Sequence, residues 1–229
     1  MPQTMEALRI GEILDLNETI AADLFHGHDH PWEVLPLIKD YIIEKGKSLD
    51  PALYEERGEN IWIARDAKVY ESAFIGGPCI IGRGTEVRHC AFIRGSALVG
   101  DHCVVGNSVE LKNVVIFNCV EVPHYNYVGD SVLGFHAHMG AGSITSNVKA
   151  DRKNVVIKAG DLEIETGLRK IGAILGDYAE IGCNTVLNPG TVVGRHSNIY
   201  PVTCVRGFVP GNSILKNDLT LVSKTPDKE

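Results

Sequence analysis

The chain has 229 residues, with 22 Lys and Arg against 29 Asp and Glu for a formal net charge of −7, and 44% of its residues are hydrophobic. That balance fits one compact soluble domain with a small appendage and argues against a disordered chain. It also argues against a nucleic-acid partner, which needs clustered Lys and Arg.

No apolar run reaches the ~18–20 residues that cross a bilayer, so no membrane partner is expected. The opening MPQTMEALRIGEI lacks the basic-then-apolar order of a signal peptide. A cytoplasmic location is expected. The six cysteines, Cys79, Cys90, Cys103, Cys119, Cys183 and Cys204, show no CxxC spacing and read as small buried residues or scattered thiols rather than a disulfide framework.

Residues 1–58 form a helical segment. Trp32, Leu35, Ile38, Tyr41 and Ile42 follow helical spacing through PWEVLPLIKDYIIEKG, with Pro31 placed to start the helix and Gly46 to end it. Shorter helices are expected at about Thr19 to Phe25 and Pro51 to Arg57. Together they would pack across one end of the following domain and cover its exposed edge.

From Ile63 an aliphatic or bulky residue recurs every six positions: Ile63, Val69, Ile75, Ile81, Val87, Ile93, Val99, Val105, Leu111 and Phe117. Four residues after most of them stands a small or β-branched one, such as Ala67, Ala73, Cys79, Thr85 and Ala91. The spacing resumes at Leu133 and Met139 and again from Leu175 to Val205. Six matches neither the helical period nor the strand period, and hexapeptide repeats mark a parallel β-helix. About 19 hexads predict roughly six triangular coils over residues 59–210, with residues 211–229 as a C-terminal tail.

Two interruptions stand out. Phe117 to Leu133 is 16 residues, which predicts a bulge near Val122 to Asp130. Residues 146–174 are charged and poor in hexad matches, which predicts a loop projecting from the coils, and exposed loops on rigid scaffolds often carry function.

Chemistry-bearing residues gather around these interruptions, in VGNSVELKN, then EVPHYNYVGD, then LGFHAHMGAGSITSN. These strings resemble the acetyltransferase domain of the bifunctional glucosamine-1-phosphate acetyltransferase/N-acetylglucosamine-1-phosphate uridylyltransferase family, over about Arg94 to Val205. The resemblance implies a left-handed β-helix, a homotrimer and acetyl-CoA as cosubstrate, with no metal required. It implies His124 as general base oriented by Glu110. Arg94 and Lys112 would grip a sugar phosphate, Tyr127 and Asn147 would contact the sugar, and Lys153 would come from a neighbouring subunit. Gly140, Ala141 and Cys183 would line the acyl-CoA arm. Here His138 stands where the family has Asn, and Val148 where it has an aromatic, so His138 is a further substrate-contact candidate. No GxGTR-type nucleotidyltransferase segment occurs in the chain.

The expected activity is therefore transfer of acetyl from acetyl-CoA to an amino sugar phosphate, such as a hexosamine 1-phosphate. An imidazole with pKa near 6.5 can accept the amine proton, and a backbone N–H in the MGAGS turn can hold the oxyanion. A second reading is a non-catalytic module that binds a sugar phosphate or nucleotide sugar. Read singly, His124 is a solvated histidine, and Arg94 and Lys112 are solvated cations. HGHDH, with His26, His28 and His30, offers adjacent metal ligands but reads as adventitious, and no metal site is expected. His136 and His138 are similar to one half of the shared zinc site of γ-class carbonic anhydrases, without the remaining ligand.

Overall fold

The computed structural model describes residues 2–224. From Ile61 to Leu215 the chain winds as a left-handed parallel β-helix. Each coil contributes strands to three flat faces, numbered here in the order the chain visits them. The second face holds eight parallel strands, Lys68–Val69, Glu86–Val87, Val104–Asn107, Glu121–His124, His138–Met139, Glu180–Ile181, Asn198–Ile199 and Ser213–Leu215. The prism therefore has eight coils, more than the six expected. Val122, Val128, Val209 and Leu215 also point into the core and are buried, but they lie outside the six-residue phase.

The loss of phase comes from a shortening. No residues bulge between Val122 and Asp130; Glu121 and Val122 pair in register with Val104 and Val105. Leu111 pairs with Val128 and Ile116 with Leu133, a coil of 17 residues rather than 18. The missing residue is at the corner between the third and first faces, which Asn113 and Asp130 turn with φ of 55° and 48°. Asn and Asp tolerate this left-handed conformation because their side chains bond locally. The strands Glu110–Ile116 and Tyr127–Leu133 consequently continue without a break around the corner.

The first face explains the position of the N-terminal segment. Its strands read Cys-Ile-Ile, Ala-Leu-Val, Val-Val-Ile, Ser-Val-Leu, Ala-Ile-Leu and Thr-Val-Val, and strand alternation turns the middle residue outward. Ile80, Leu98, Val115, Val132, Ile174 and Val192 thus form an outer aliphatic column, and all are fully buried. Burying each is worth about 1.5–3 kcal/mol, enough to recruit a cover. The α-helix Ile38–Lys47 lies over the lower coils and the 3₁₀ segment Pro31–Leu37 over Tyr127–Leu133, while the strand Val156–Ala159 of the inserted loop covers Thr191–Val193 and Phe208–Val209. The N-terminal segment therefore clads a side of the prism rather than one end. Ile13 O accepts from Asp177 N (3.1 Å), Glu18 O from Asn118 N (3.0 Å) and Leu35 O from Asn113 Nδ2 (3.2 Å).

Four local expectations change in the N-terminal segment. Pro36 lacks an N–H, and the helix expected from Pro31 divides into Pro31–Leu37 as 3₁₀ and Ile38–Lys47 as α. Gly46 lies inside the helix, where any Cβ would overlap the Trp62 indole, so packing explains this glycine and termination does not. Around Thr19 to Phe25 only 3₁₀ turns form, Leu16–Glu18 and Ala22–Phe25, and Tyr54–Gly58 is a strand antiparallel to Ile61–Ala64. At the other end Ser213–Leu215 continues the prism past residue 210 and pairs with Leu221–Ser223. Residues 225–229 of the expected tail lie outside the described residues.

The projecting loop leaves at Asn147 and returns at Ile171, whose N–H donates to Asn147 O (3.1 Å). Its stem is a Val148–Lys170 bridge and its body the hairpin Val156–Ala159 with Leu162–Glu165. Cys79 and Cys103 are core thiols, and burial pushes the Cys103 pKa up to about 12. No described helix is long and apolar enough to cross a membrane.

Candidate active site

The third face carries Phe92, Glu110, Tyr127 and Ile144 stacked in register on successive coils, with Arg94, Lys112 and Gly129 two residues along. Stacking brings three predicted residues, Lys112, Tyr127 and Asn147, together around one that the sequence reading missed. Asp130, only 4% exposed, accepts from Lys112 Nζ through both carboxylate oxygens (2.8 and 3.1 Å) and from Asn113 Nδ2 (3.0 Å). Asn147 Nδ2 donates to the other side of the same carboxylate and to the Tyr127 hydroxyl (3.2 Å). Burial, reinforced by the nearby negative charges of Asp130 and Glu110, raises the Tyr127 pKa and keeps the phenol protonated. Asp130 lies 18 residues after Lys112, about one coil, and that spacing in EVPHYNYVGD is the signal that could have found it.

The two predicted phosphate cations are already paired within the chain. Arg94 Nη1 lies 2.7 Å from Glu110 Oε1, and Lys112 is held by Asp130. The expected Glu110–His124 contact is not formed, because Glu110 stacks between Phe92 and Tyr127 on the third face and turns its carboxylate to Arg94.

His124 ends the strand Glu121–His124 on the second face, and Tyr125 turns the corner next to it with φ of 53°. Its backbone is fixed. Asn126, 2% exposed, accepts from His124 N (3.1 Å) and donates to Gly140 O (2.9 Å), while Gly142 N donates to His124 O (3.0 Å). Asn126 therefore clamps the strand end against the MGAGS turn, a positioning role hidden between the two tyrosines of HYNY. The His124 imidazole is exposed and has no hydrogen-bond partner among the described residues.

Predicted acyl-CoA residues continue up the same corner. Asn184 N donates to Ala141 O (2.8 Å) and Val202 N to Cys183 O (2.9 Å), so His124, Ala141 and Cys183 occupy successive coils. Gly140 is glycine for a local reason, since a Cβ would meet Cys183 N at 2.8 Å. Within this turn the N–H groups of Gly140, Gly142 and Ser143 donate to Ile181 O, His124 O and Gly140 O. The Ala141 N–H has no acceptor among the described residues.

Two candidates stand apart. His138 stacks over Glu121, three residues and roughly 10 Å from His124 along the strand, and its Nδ1 meets Glu180 Oε2 at 2.9 Å. Lys153 is exposed on the projecting loop, its N–H bonded to Asp151. The HGHDH histidines have separate neighbours. His26 lies 3.9 Å from Asp23, His28 lies 3.5 Å from Glu33, and His30 stacks on Trp32. His136 stacks on Tyr178, away from His138's partner. No group of three or more potential metal ligands occurs among the described residues.

Residues 76–217 match the family described as the GMPPB C-terminal domain, more than half of the chain. The chain belongs to this family. It is similar to the bifunctional sugar-1-phosphate nucleotidylyltransferase/acetyltransferase of Sulfurisphaera tokodaii, at 38% identity over 41% of this chain and 23% of that protein. A similarity along nearly the whole chain is to the putative uncharacterized acetyltransferase YaiX of Escherichia coli K12, at 31% identity over 83% of this chain and 89% of that protein. Among solved structures it is similar to the acetyltransferase domain of PglB from Neisseria gonorrhoeae FA1090 in complex with acetyl coenzyme A. There the identity is 17%, over 68% of this chain and 54% of that one, with a TM-score of 0.38. The match spans about a quarter of the length of the first bifunctional relatives, 23% and 28%.

Proposed function

We propose that this member of the GMPPB C-terminal domain family is a CoA-dependent N-acetyltransferase whose acceptor is an amino sugar phosphate, in its simplest form a hexosamine 1-phosphate. The observation that carries the reading is the corner between the second and third faces. An exposed imidazole with no hydrogen-bond partner among the described residues stands there on a clamped backbone, one coil from the open Ala141 N–H and three residues before Tyr127, whose hydroxyl accepts from Asn147.

In this reading acetyl-CoA lies along the corner past Ala141 and Cys183, and the sugar lies on the third face. His124 takes a proton from the amine as its nitrogen attacks the thioester carbonyl. The C–N bond forms, the Ala141 N–H holds the oxyanion, and the C–S bond breaks to release the CoA thiolate, which takes up a proton. Tyr127 donates to a sugar oxygen and Asn147 is held in place for the same ring. Lys112 has three donors, and the proton not engaged by Asp130 is free for a phosphate oxygen. His124 meets no orienting carboxylate among the described residues, so the geometry of the base rests on Asn126. A homotrimer would bring Lys153 of a neighbour toward this cleft.

The test is thiol release from acetyl-CoA against a panel of amino sugars and their 1-phosphates. The His124→Ala variant should lose turnover by about 10²–10⁴ with an unchanged melting temperature, since its exposed ring makes no hydrogen bond among the described residues. A non-catalytic binding module would instead release no thiol and bind its sugar phosphate equally well in both proteins.

A further inference from the structure

A second concavity opens at the opposite corner of the third face from His124. Leu35 and Pro36 of the N-terminal cladding, Val148, Leu168, Arg169 and Lys170 of the projecting loop, and the corner residues Asn113 and Asp130 enclose about 420 Å³. That volume is within the range of small-ligand sites. The two departures from a plain prism converge here. Four of the lining side chains are aliphatic or proline.

Its electrostatics differ from those of the third face. Arg94 and Lys112 are paired with Glu110 and Asp130, whereas neither Arg169 nor Lys170 has a carboxylate within 4.0 Å among the described residues. The one carboxylate lining the cavity, Asp130, is occupied by Lys112, Asn113 and Asn147. The cavity therefore offers two uncommitted cations over apolar walls.

It also adjoins the candidate site. The Val148–Lys170 bridge and the Ile171 N–H bond to Asn147 O set Arg169 and Lys170 beside Asn147, which bonds Tyr127 and Asp130. Asp130 is six residues from His124, a reach of at most ~20 Å. A ligand with its amine at His124 and its sugar over Tyr127 would extend any group attached to the sugar toward this cavity.

We infer that the cavity is a subsite for a nucleoside diphosphate carried by the sugar, with Arg169 and Lys170 taking the diphosphate and the base lying against Leu35, Pro36 and Leu168. The inference rests on the proposed reading of the third face as the sugar site. It places the sugar's phosphate within a diphosphate ester, because a bare 1-phosphate would leave the apolar walls unfilled.

Calorimetric titration of the full chain with UDP, GDP and inorganic pyrophosphate tests it without requiring turnover. At least one nucleoside diphosphate should bind about tenfold or more tightly than pyrophosphate, and the Arg169→Ala/Lys170→Ala double variant should weaken it at least tenfold, the loss of one charge-assisted bond. These two side chains are exposed, so the variant should fold. Equal binding of pyrophosphate and both nucleotides, or unchanged binding by the double variant, overturns the subsite. The His124→Ala variant should bind the nucleotide like the parent. Absent thiol release with intact nucleotide binding would defeat the acetyl-transfer reading alone, and turnover of a hexosamine 1-phosphate without nucleotide binding would defeat the subsite alone.

Discussion

Lys112 and Asp130 face each other across one coil of the prism, the ammonium shared between both carboxylate oxygens at 2.8 and 3.1 Å. The side chain of Asp130 is 5% exposed and that of Lys112 is 27% exposed, so the pair sits at the boundary between core and cleft. Asp130 also holds Asn113 and Asn147, and through Asn147 it fixes the Tyr127 hydroxyl. One carboxylate thus joins the corner, the candidate sugar contacts and the stem of the projecting loop.

Removing that carboxylate leaves three donors without their acceptor. Breaking a buried pair costs about 3–5 kcal/mol, and the partial exposure of Lys112 places Asp130→Ala near the lower figure. Urea denaturation should show the loss. Adding Lys112→Met should recover part of it, and a double variant no more stable than Asp130→Ala alone would show that Lys112 is not the partner that matters.

Gly46 tests the lateral cladding. Its Cα lies against the Trp62 ring, and Trp62 begins the outer aliphatic column of the first face. Although Ala is the better helix former, Gly46→Ala should destabilise by about 1–3 kcal/mol through overpacking. A rise in melting temperature would mean that the helix does not press on Trp62.

Asp177 fastens the N-terminal segment, accepting from Asp15 N and Phe135 N at 2.8 Å each. Burial raises its pKa, and this outweighs the opposing pull of Arg195. A carboxyl whose folded pKa is raised binds its proton more tightly folded than unfolded. Its contribution is fully present below the ordinary carboxylate range near 4, and it is lost as pH rises through the raised value. The stability of the parent relative to Asp177→Asn should therefore fall as pH rises above the ordinary carboxylate range near 4. Melting temperatures across that rise check the sign, and a difference that grows with pH contradicts it.

Much of the fold was legible because a β-helix repeats one local rule. Ile63, Ile81, Val99 and Val105 each face the axis for the same steric reason, so spacing alone reveals the coils. The count of coils was not legible, because Val122, Val128, Val209 and Leu215 face the core outside the six-residue phase, and the interruption from Phe117 to Leu133 reads as a bulge when it is two shortened corners at Asn113 and Asp130. The grouping of Lys112, Tyr127 and Asn147 was legible only through the resemblance of their motifs to a known family, since their intervals of 15 and 20 residues do not match a coil. The electrostatics of the site were not legible. Glu110 pairs with Arg94 rather than His124, a choice set by which neighbours stack on one face.

By itself the sequence determined a parallel prism, the register of its core and the cluster of polar residues near one stretch of coils, since each follows from nearest-neighbour stacking of a periodic chain. Tertiary structure alone decided which face the N-terminal segment covers, because the outer column of Ile80, Leu98 and Val115 becomes continuous only when coils are stacked. It also decided that Arg169 and Lys170 meet Leu35 and Pro36, residues more than a hundred positions away, at the corner where both excursions from the prism close over Asp130.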